Sequence, residues 1–169
     1  MKIVDYHKLS DFQKESVKEI FWKTSSVNVF GSISEKDDFF YKYLGYYIQS
    51  LNCFCYVSLI ENYVQGYCCG HSNTFSDIEL MKLQPHLGQF ANIGKPFPGH
   101  LHINIDPQEH GKGLGSLLIN FVCKEMKMIS GLHIITGAQS RNKKFYKLNG
   151  FDYEYYSECG SLCFMGKYL

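Results

Sequence analysis

Three groups of residues in this chain have types and spacing suited to chemistry. The first is His110-Gly111-Lys112-Gly113-Leu114-Gly115-Ser116, with glycine at every second position. It follows the apolar run "HLHINI" and precedes a helical pattern of Leu114, Leu117, Leu118, Phe121 and Val122. A strand-to-helix turn presents unpaired backbone N–H groups and the positive end of a helix dipole, which together attract anions. Glycine, lacking a Cβ, lets phosphate or pyrophosphate oxygens come close to those amides. The second group is His100 and His102, which alternate with Asn104 on one face of the "HLHINI" strand. A side-chain period of two puts both imidazoles on that face. Imidazole titrates near neutrality and so suits a proton acceptor; His102, nearer the expected reaction centre, ranks above His100. The third is Tyr146 in "QSRNKKFYKLNGF". A free phenol has a pKa of about 10, so it stays protonated at neutral pH and donates to a developing anion.

Familiar phosphate fingerprints do not fit. For G-x-G-x-x-G starting at Gly111 the last glycine falls on Ser116, and starting at Gly113 it falls on Leu118. The P-loop pattern fails because Gly111-Lys112 is followed by glycine. Asp106 and Glu109 lie toward the anion end and are weaker candidates for a base, and His71 and His86 stand apart, in or near the 72–98 stretch. Seven cysteines, an odd number without C-x-x-C spacing, read as reduced core thiols, with no metal site expected.

The bulk numbers set the frame. A chain of 169 residues with 45% hydrophobic content is expected to form one domain over 1–169. A formal net charge of +1 offers no basic footprint for nucleic acid. The N-terminus lacks the apolar region of a signal peptide, and no apolar run approaches the roughly 20 residues that span a bilayer. A cytoplasmic protein with no membrane partner is the expectation. A homodimer is compatible with the sequence, which does not set the oligomeric state.

The elements that must position these residues follow from periodicity and punctuation. "KIVDY" reads as a strand, and a helix follows whose start carries the capping-box spacing Ser10–Gln13. A second helix over about 35–51 rests on Phe40, Leu44, Tyr47, Ile48 and Leu51, with Ser34 and Asp37 as its capping pair. "CFCYVSLI" and "YVQGYCCGH", separated by Glu61-Asn62, read as a hairpin. Residues 72–98 hold three of the four prolines and no sustained period, apart from a short helix in "SDIELMKL". They read as an inserted loop covering a pocket. Then come strand 100–105, the glycine turn, a helix to about 129, strand 132–138, a short helix stopped by Gly150, and two closing strands. The order β-α-α-β-β-β-α-β-α-β-β predicts an α/β fold with a largely antiparallel sheet flanked by helices.

The stretch 110–115 resembles the Q/R-x-x-G-x-G/A phosphate motif of the GCN5-related N-acetyltransferase (GNAT) family, with Gly113 and Gly115 as the two glycines. Downstream, Tyr146, Gly150 and Phe151 are similar to that family's Tyr-x-x-x-Gly-Phe signature. The element order agrees over nearly the whole chain. Two positions depart from the pattern: His110 stands at the Q/R position, and Gln139 replaces the asparagine usual seven residues before the tyrosine. The resemblance implies acetyl-CoA as cosubstrate and a primary amine as acceptor, on a small molecule or an exposed protein or peptide amino group. The amides of His110, Gly111, Lys112, Gly113, Leu114, Gly115 and Ser116 would then hold the pyrophosphate. Strand residues Ile103, Asn104 and Ile105 would pair with the pantetheine arm as an added strand does. Gln139 and Lys143 complete the cofactor set, Lys143 in a cluster with Arg141, Lys144 and Lys147 facing the 3′-phosphate. The resemblance implies that Tyr146 protonates the leaving thiolate, with His102 or His100 as proton acceptor. A second reading is a non-catalytic acyl-CoA-binding regulatory module of the same fold, and a third is transfer of a longer acyl chain into a slot lined by "FFYKYLGYY".

Overall fold

The computed structural model describes residues 1–169. Its first elements are β1 (Lys2–Asp5), α1 (Asp11–Thr24), α2 (Ile33–Phe40), a wide turn (Tyr41–Gly45) and α3 (Tyr46–Gln49). β2 (Cys53–Ile60), β3 (Tyr63–His71), α4 (Ile78–Leu83), β4 (Gly99–Ile105) and α5 (Leu114–Glu125) follow. β5 (Gly131–Gly137), α6 (Asn142–Leu148), β6 (Tyr153–Tyr156) and β7 (Leu162–Tyr168) close the chain. The strands form one seven-stranded sheet in the order β1-β2-β3-β4-β5-β7-β6. β1 pairs antiparallel with β2, and β7 with both β5 and β6, whereas β4 and β5 are parallel. This is the α/β architecture expected from the element order. The parallel ladder is short: it joins Gly99 to Leu132 and His100 to His133, although each strand has seven residues. Two compact units can be distinguished, Met1–Gly70 with His102–Val122, and His71–Leu101 with Cys123–Leu169.

In the first unit the capping box of α1 forms as its spacing requires. Gln13 N donates to Ser10 Oγ and Ser10 N donates to Gln13 Oε1. Val17, Ile20 and Phe21 supply the buried stripe of this helix. The expected capping pair of the second helix moves two residues upstream. Glu35 N donates to Ser32 Oγ, and the Glu35 carboxylate accepts from Gly31 N at 2.7 Å. Ser32 wins because it takes the extended backbone that a cap needs, while Ser34 is already inside the helix. The long helix expected over 35–51 is interrupted by the wide π turn at Tyr41–Gly45. That turn lets four consecutive residues, Leu44 to Tyr47, be buried, which an unbroken α-helix with one inward stripe does not do. Such bulges recur at functional sites, and Tyr47 is the second residue after this one. The hairpin of β2 and β3 turns at Glu61 and Asn62, both at positive φ, as the two-residue connection demands.

In the second unit residues 72–98 are built rather than irregular. Thr74, Leu80, Gln84, Leu87, Phe90 and Phe97 are all buried. Phe90 and Phe97 form a core with Phe164, against which Phe75, Ile93, Ile135 and Leu162 pack. The segment lacks a period because short 3-10 turns flank α4, and each sends one large side chain inward. Its large side chains fill the hydrophobic core of its unit. Cys55, Cys68, Cys69 and Cys163 are buried, and desolvation pushes the thiols of Cys55 and Cys69 well up, so they stay unreactive. No helix is long and apolar enough to cross a membrane.

Candidate active site

The end of β4 and the turn after it are held from several directions within the first unit. Asp106 N donates to Gln65 O on β3 at 2.9 Å. The Asp106 carboxylate caps the next turn by accepting from Gln108 N at 3.0 Å, and Lys23 Nζ, from the last turn of α1, donates to its other oxygen at 2.9 Å. These donors, the backbone N–H first, hold its carboxyl below the usual range. Asp106 is thus a brace and stays ionised, a poor proton acceptor at neutral pH.

The glycine turn has the geometry its composition suggests. Gly111 and Gly113 lie at φ +79° and +78°, in the left-handed region that L side chains avoid. A Cβ built on either would have no atom of the chain within 4 Å, so the space above both amides is open. The first α5 hydrogen bond runs from Leu117 N to Gly113 O at 3.1 Å. The amides of Leu114, Gly115 and Ser116 therefore have no acceptor in the preceding turn. Lys112 is paired with Glu109 at 2.9 Å. His110 is exposed, and its Nε2–H donates to the Ile105 carbonyl at 3.0 Å. That bond orients the ring and leaves Nδ1 as the remaining polar atom. A neutral His110 presents Nδ1 as an acceptor, and only the imidazolium presents a second donor.

His100 and His102 sit two residues apart on β4, as the strand pattern requires, but their surroundings differ. His100 is buried at 3% exposure, with Nδ1 2.7 Å from the hydroxyl of the equally buried Thr74. His102 is half-buried, and its Nε2 shares a 3.1 Å hydrogen bond with the Tyr47 hydroxyl, the rings meeting edge to face at 5.3 Å. Asn104 donates to the Tyr67 hydroxyl at 2.7 Å. Ile103 and Ile105 take the opposite face, both half-buried. Tyr47, Thr74 and Lys23, the residues that position this strand, carry no local signal: they lie 55, 26 and 83 positions from their partners.

In the second unit the "YKLNGF" stretch closes α6 by a Schellman motif. Phe151 N donates to Tyr146 O at 3.1 Å and Gly150 N donates to Lys147 O at 2.9 Å, with Gly150 at φ +83°. The Phe151 ring meets the Tyr146 ring edge-on at 5.8 Å, the apolar contact that accompanies this motif. Tyr, Gly and Phe at this spacing are thus one structural device that fixes the backbone of a half-buried tyrosine. Gln139 is exposed in the turn after β5. Lys143 is held within the unit: Nζ donates to the Tyr156 hydroxyl at 2.6 Å and lies 3.4 Å from Glu154, which also pairs with Lys147 at 2.9 Å. Of the basic cluster, Arg141 and Lys144 make no ion pair.

β4 thus leads into a turn with two left-handed glycines ahead of α5, and α6 is closed by a Schellman motif that begins at Tyr146. Residues 14–151 match the sequence profile of the acetyltransferase (GNAT) family. The chain belongs to that family. No curated protein sequence matches it. Solved structures agree in fold at low identity. SsHAT superposes with a TM-score of 0.74 at 17% identity, covering 99% of this chain and 97% of that one. The PaiA N-acetyltransferase of Thermoplasma acidophilum, in complex with coenzyme A, gives 0.64 at 18% identity over 100% of both chains. An aminoglycoside 6′-N-acetyltransferase complexed with coenzyme A gives 0.66 at 11%, covering 99% of this chain and 97% of that one.

Proposed function

We propose that this chain transfers an acetyl group from acetyl-CoA to a primary amine. The observation that carries the reading is the turn at Gly111 and Gly113: two left-handed glycines with open space where a Cβ would stand, ahead of three helix amides lacking an acceptor. Such a cradle fits a pyrophosphate, and a side chain at either position would fill it. Family membership and the two similar folds complexed with coenzyme A support the same cosubstrate. On this reading the amides of 110–116 hold the diphosphate. Backbone groups of Ile103, Asn104 and Ile105, which lie beyond the two-position ladder with β5, pair with the pantetheine arm. Gln139 and Lys143 retain the places that the resemblance implies, although the Lys143 ammonium already has partners. Arg141 and Lys144, which make no ion pair, are the cations left available for a terminal phosphate.

When bound, acetyl-CoA supplies an activated thioester carbonyl. The chain's own work is proton handling and orientation. A C–N bond forms as the amine attacks, and the C–S bond breaks. His102 accepts the proton that the amine loses, and the Tyr146 hydroxyl donates one to the departing sulfur. His100 serves the fold on this reading, since burial and Thr74 occupy it. The test is release of free CoA thiol from acetyl-CoA by the purified protein against a panel of primary amines. Amine-dependent release supports the proposal. Tight acetyl-CoA binding without release from any amine overturns it in favour of a binding module.

A further inference from the structure

Beside the end of α1 lies an open cavity of about 500 Å³ lined by Trp22, Asn28, Phe30, Ser32, Ile33 and Lys36. Its apolar wall is continuous. Trp22 meets Phe30 edge-on at 5.8 Å and stacks on Phe39 and Phe40 at 6.4 and 6.0 Å, and Phe30 leans on Phe39 at 5.4 Å. Ile33 is 81% exposed at the rim. The polar side is positively charged. Lys36 Nζ stands 4.9 Å over the Trp22 ring and makes no ion pair. Its neighbour Glu35 is turned back to accept from Gly31 N. Asn28 is exposed, and the Ser32 hydroxyl, whose oxygen caps α2, still has a proton to donate.

Two bonds tie this cavity to β4. Lys23, the residue after Trp22, reaches Asp106 at the start of the glycine turn. The helix that carries Lys36 continues through the wide turn to Tyr47, whose hydroxyl meets His102. The cavity and the reactive end of β4 thus share one braced framework inside the first unit.

We propose that this cavity binds the body of the acceptor, and that the acceptor is a small amine bearing a flat apolar ring and a carboxylate. The ring matches the Trp22 and Phe30 wall. The carboxylate matches the Lys36 ammonium, with Asn28 and Ser32 as further donors. A cationic body is disfavoured, because the Trp22 face that would attract it already holds Lys36, and like charges repel. The assignment of this ligand as acceptor rests on the transferase reading; its binding does not.

Trp22 is the single tryptophan of the chain, so its emission reports the cavity directly. Three probes that do not emit in its range separate the terms: 3-phenylpropionate has ring and carboxylate, phenethylamine has ring and amine, and L-phenylalanine has all three. Saturable changes in Trp22 emission are expected with 3-phenylpropionate and L-phenylalanine, at least 10-fold tighter than with phenethylamine. Lys36→Gln, an exposed helix position, should weaken both carboxylates about 10-fold and leave phenethylamine unchanged or slightly tighter. Phe30→Ser should weaken all three. Phenethylamine binding as tightly as 3-phenylpropionate overturns the proposal, as does the absence of any saturable change. Binding of both carboxylates without CoA release from L-phenylalanine, in a protein that releases CoA with other amines, leaves the cavity a ligand site and overturns its assignment to the acceptor. CoA release from aliphatic amines, with no carboxylate seen at Trp22, overturns the cavity assignment and leaves the transferase reading standing.

Discussion

The Tyr47 hydroxyl lies 3.1 Å from Nε2 of His102, and the tyrosine itself is 1% exposed. A buried phenol thus orients a half-buried imidazole on the strand that leads into the glycine turn. If His102 takes the amine proton, His102→Gln should lower kcat/KM most near neutral pH, where neutral amine is scarce, and recover partly at higher pH. Tyr47→Phe should keep the packing and shift the pH–rate profile without removing activity. An unchanged profile in both variants would return the pair to a purely structural role.

Gly113→Glu tests the anion cradle. The positive φ costs a side chain roughly 1–2 kcal/mol, but no chain atom stands in the way, so the fold should persist. The added carboxylate would stand over the amides and repel a diphosphate. Calorimetry should show acetyl-CoA binding lost in a protein with a native circular dichroism spectrum. Wild-type affinity in that protein would remove the phosphate role of the turn.

Tyr146→Phe keeps the ring, its edge contact with Phe151 and the Schellman closure, which uses only main-chain atoms. Stability and acetyl-CoA affinity should change little. General-acid help is typically worth about 10²–10⁴-fold, and its loss belongs in kcat because the thiolate develops as the bond breaks. A kcat equal to wild type assigns protonation of the sulfur to another group or to water.

Stability should carry its own pH signature through His71. The ring is buried, Asn73 N donates to Nδ1 at 2.9 Å, and Nε2 faces Asp77 at 3.0 Å. Desolvation lowers the affinity of the ring for a proton, and Asp77 opposes this only in part. The unfolded chain therefore takes up the proton more readily. Stability from this residue is fully present above the ordinary histidine pKa of about 6.5 and is lost as pH falls through the folded value. Denaturant melts at pH 7.5 and pH 5 should show a larger loss in wild type than in His71→Gln.

What the sequence determined by itself was local. The capping box at Ser10 and Gln13, the Glu61-Asn62 hairpin, the Gly111–Gly113 turn and the Tyr146–Phe151 closure each join residues a few positions apart. Their backbone angles or hydrogen bonds follow from residue type, so spacing alone discloses them. The order of elements followed from period and punctuation, and with it the sheet. What tertiary structure decided lies across long separations. A period of two placed His100 and His102 on one face, but only Thr74 and Tyr47, 26 and 55 residues away, made one a buried core residue and the other a half-open one. Lys143 looked like a free cation until Glu154 and Tyr156 of a later strand met it. Residues 72–98 lack a period that would mark an inward face, yet Phe90 and Phe97 are core once Phe164 packs on them. Burial is a property of the assembled neighbours, and no single stretch of chain contains them.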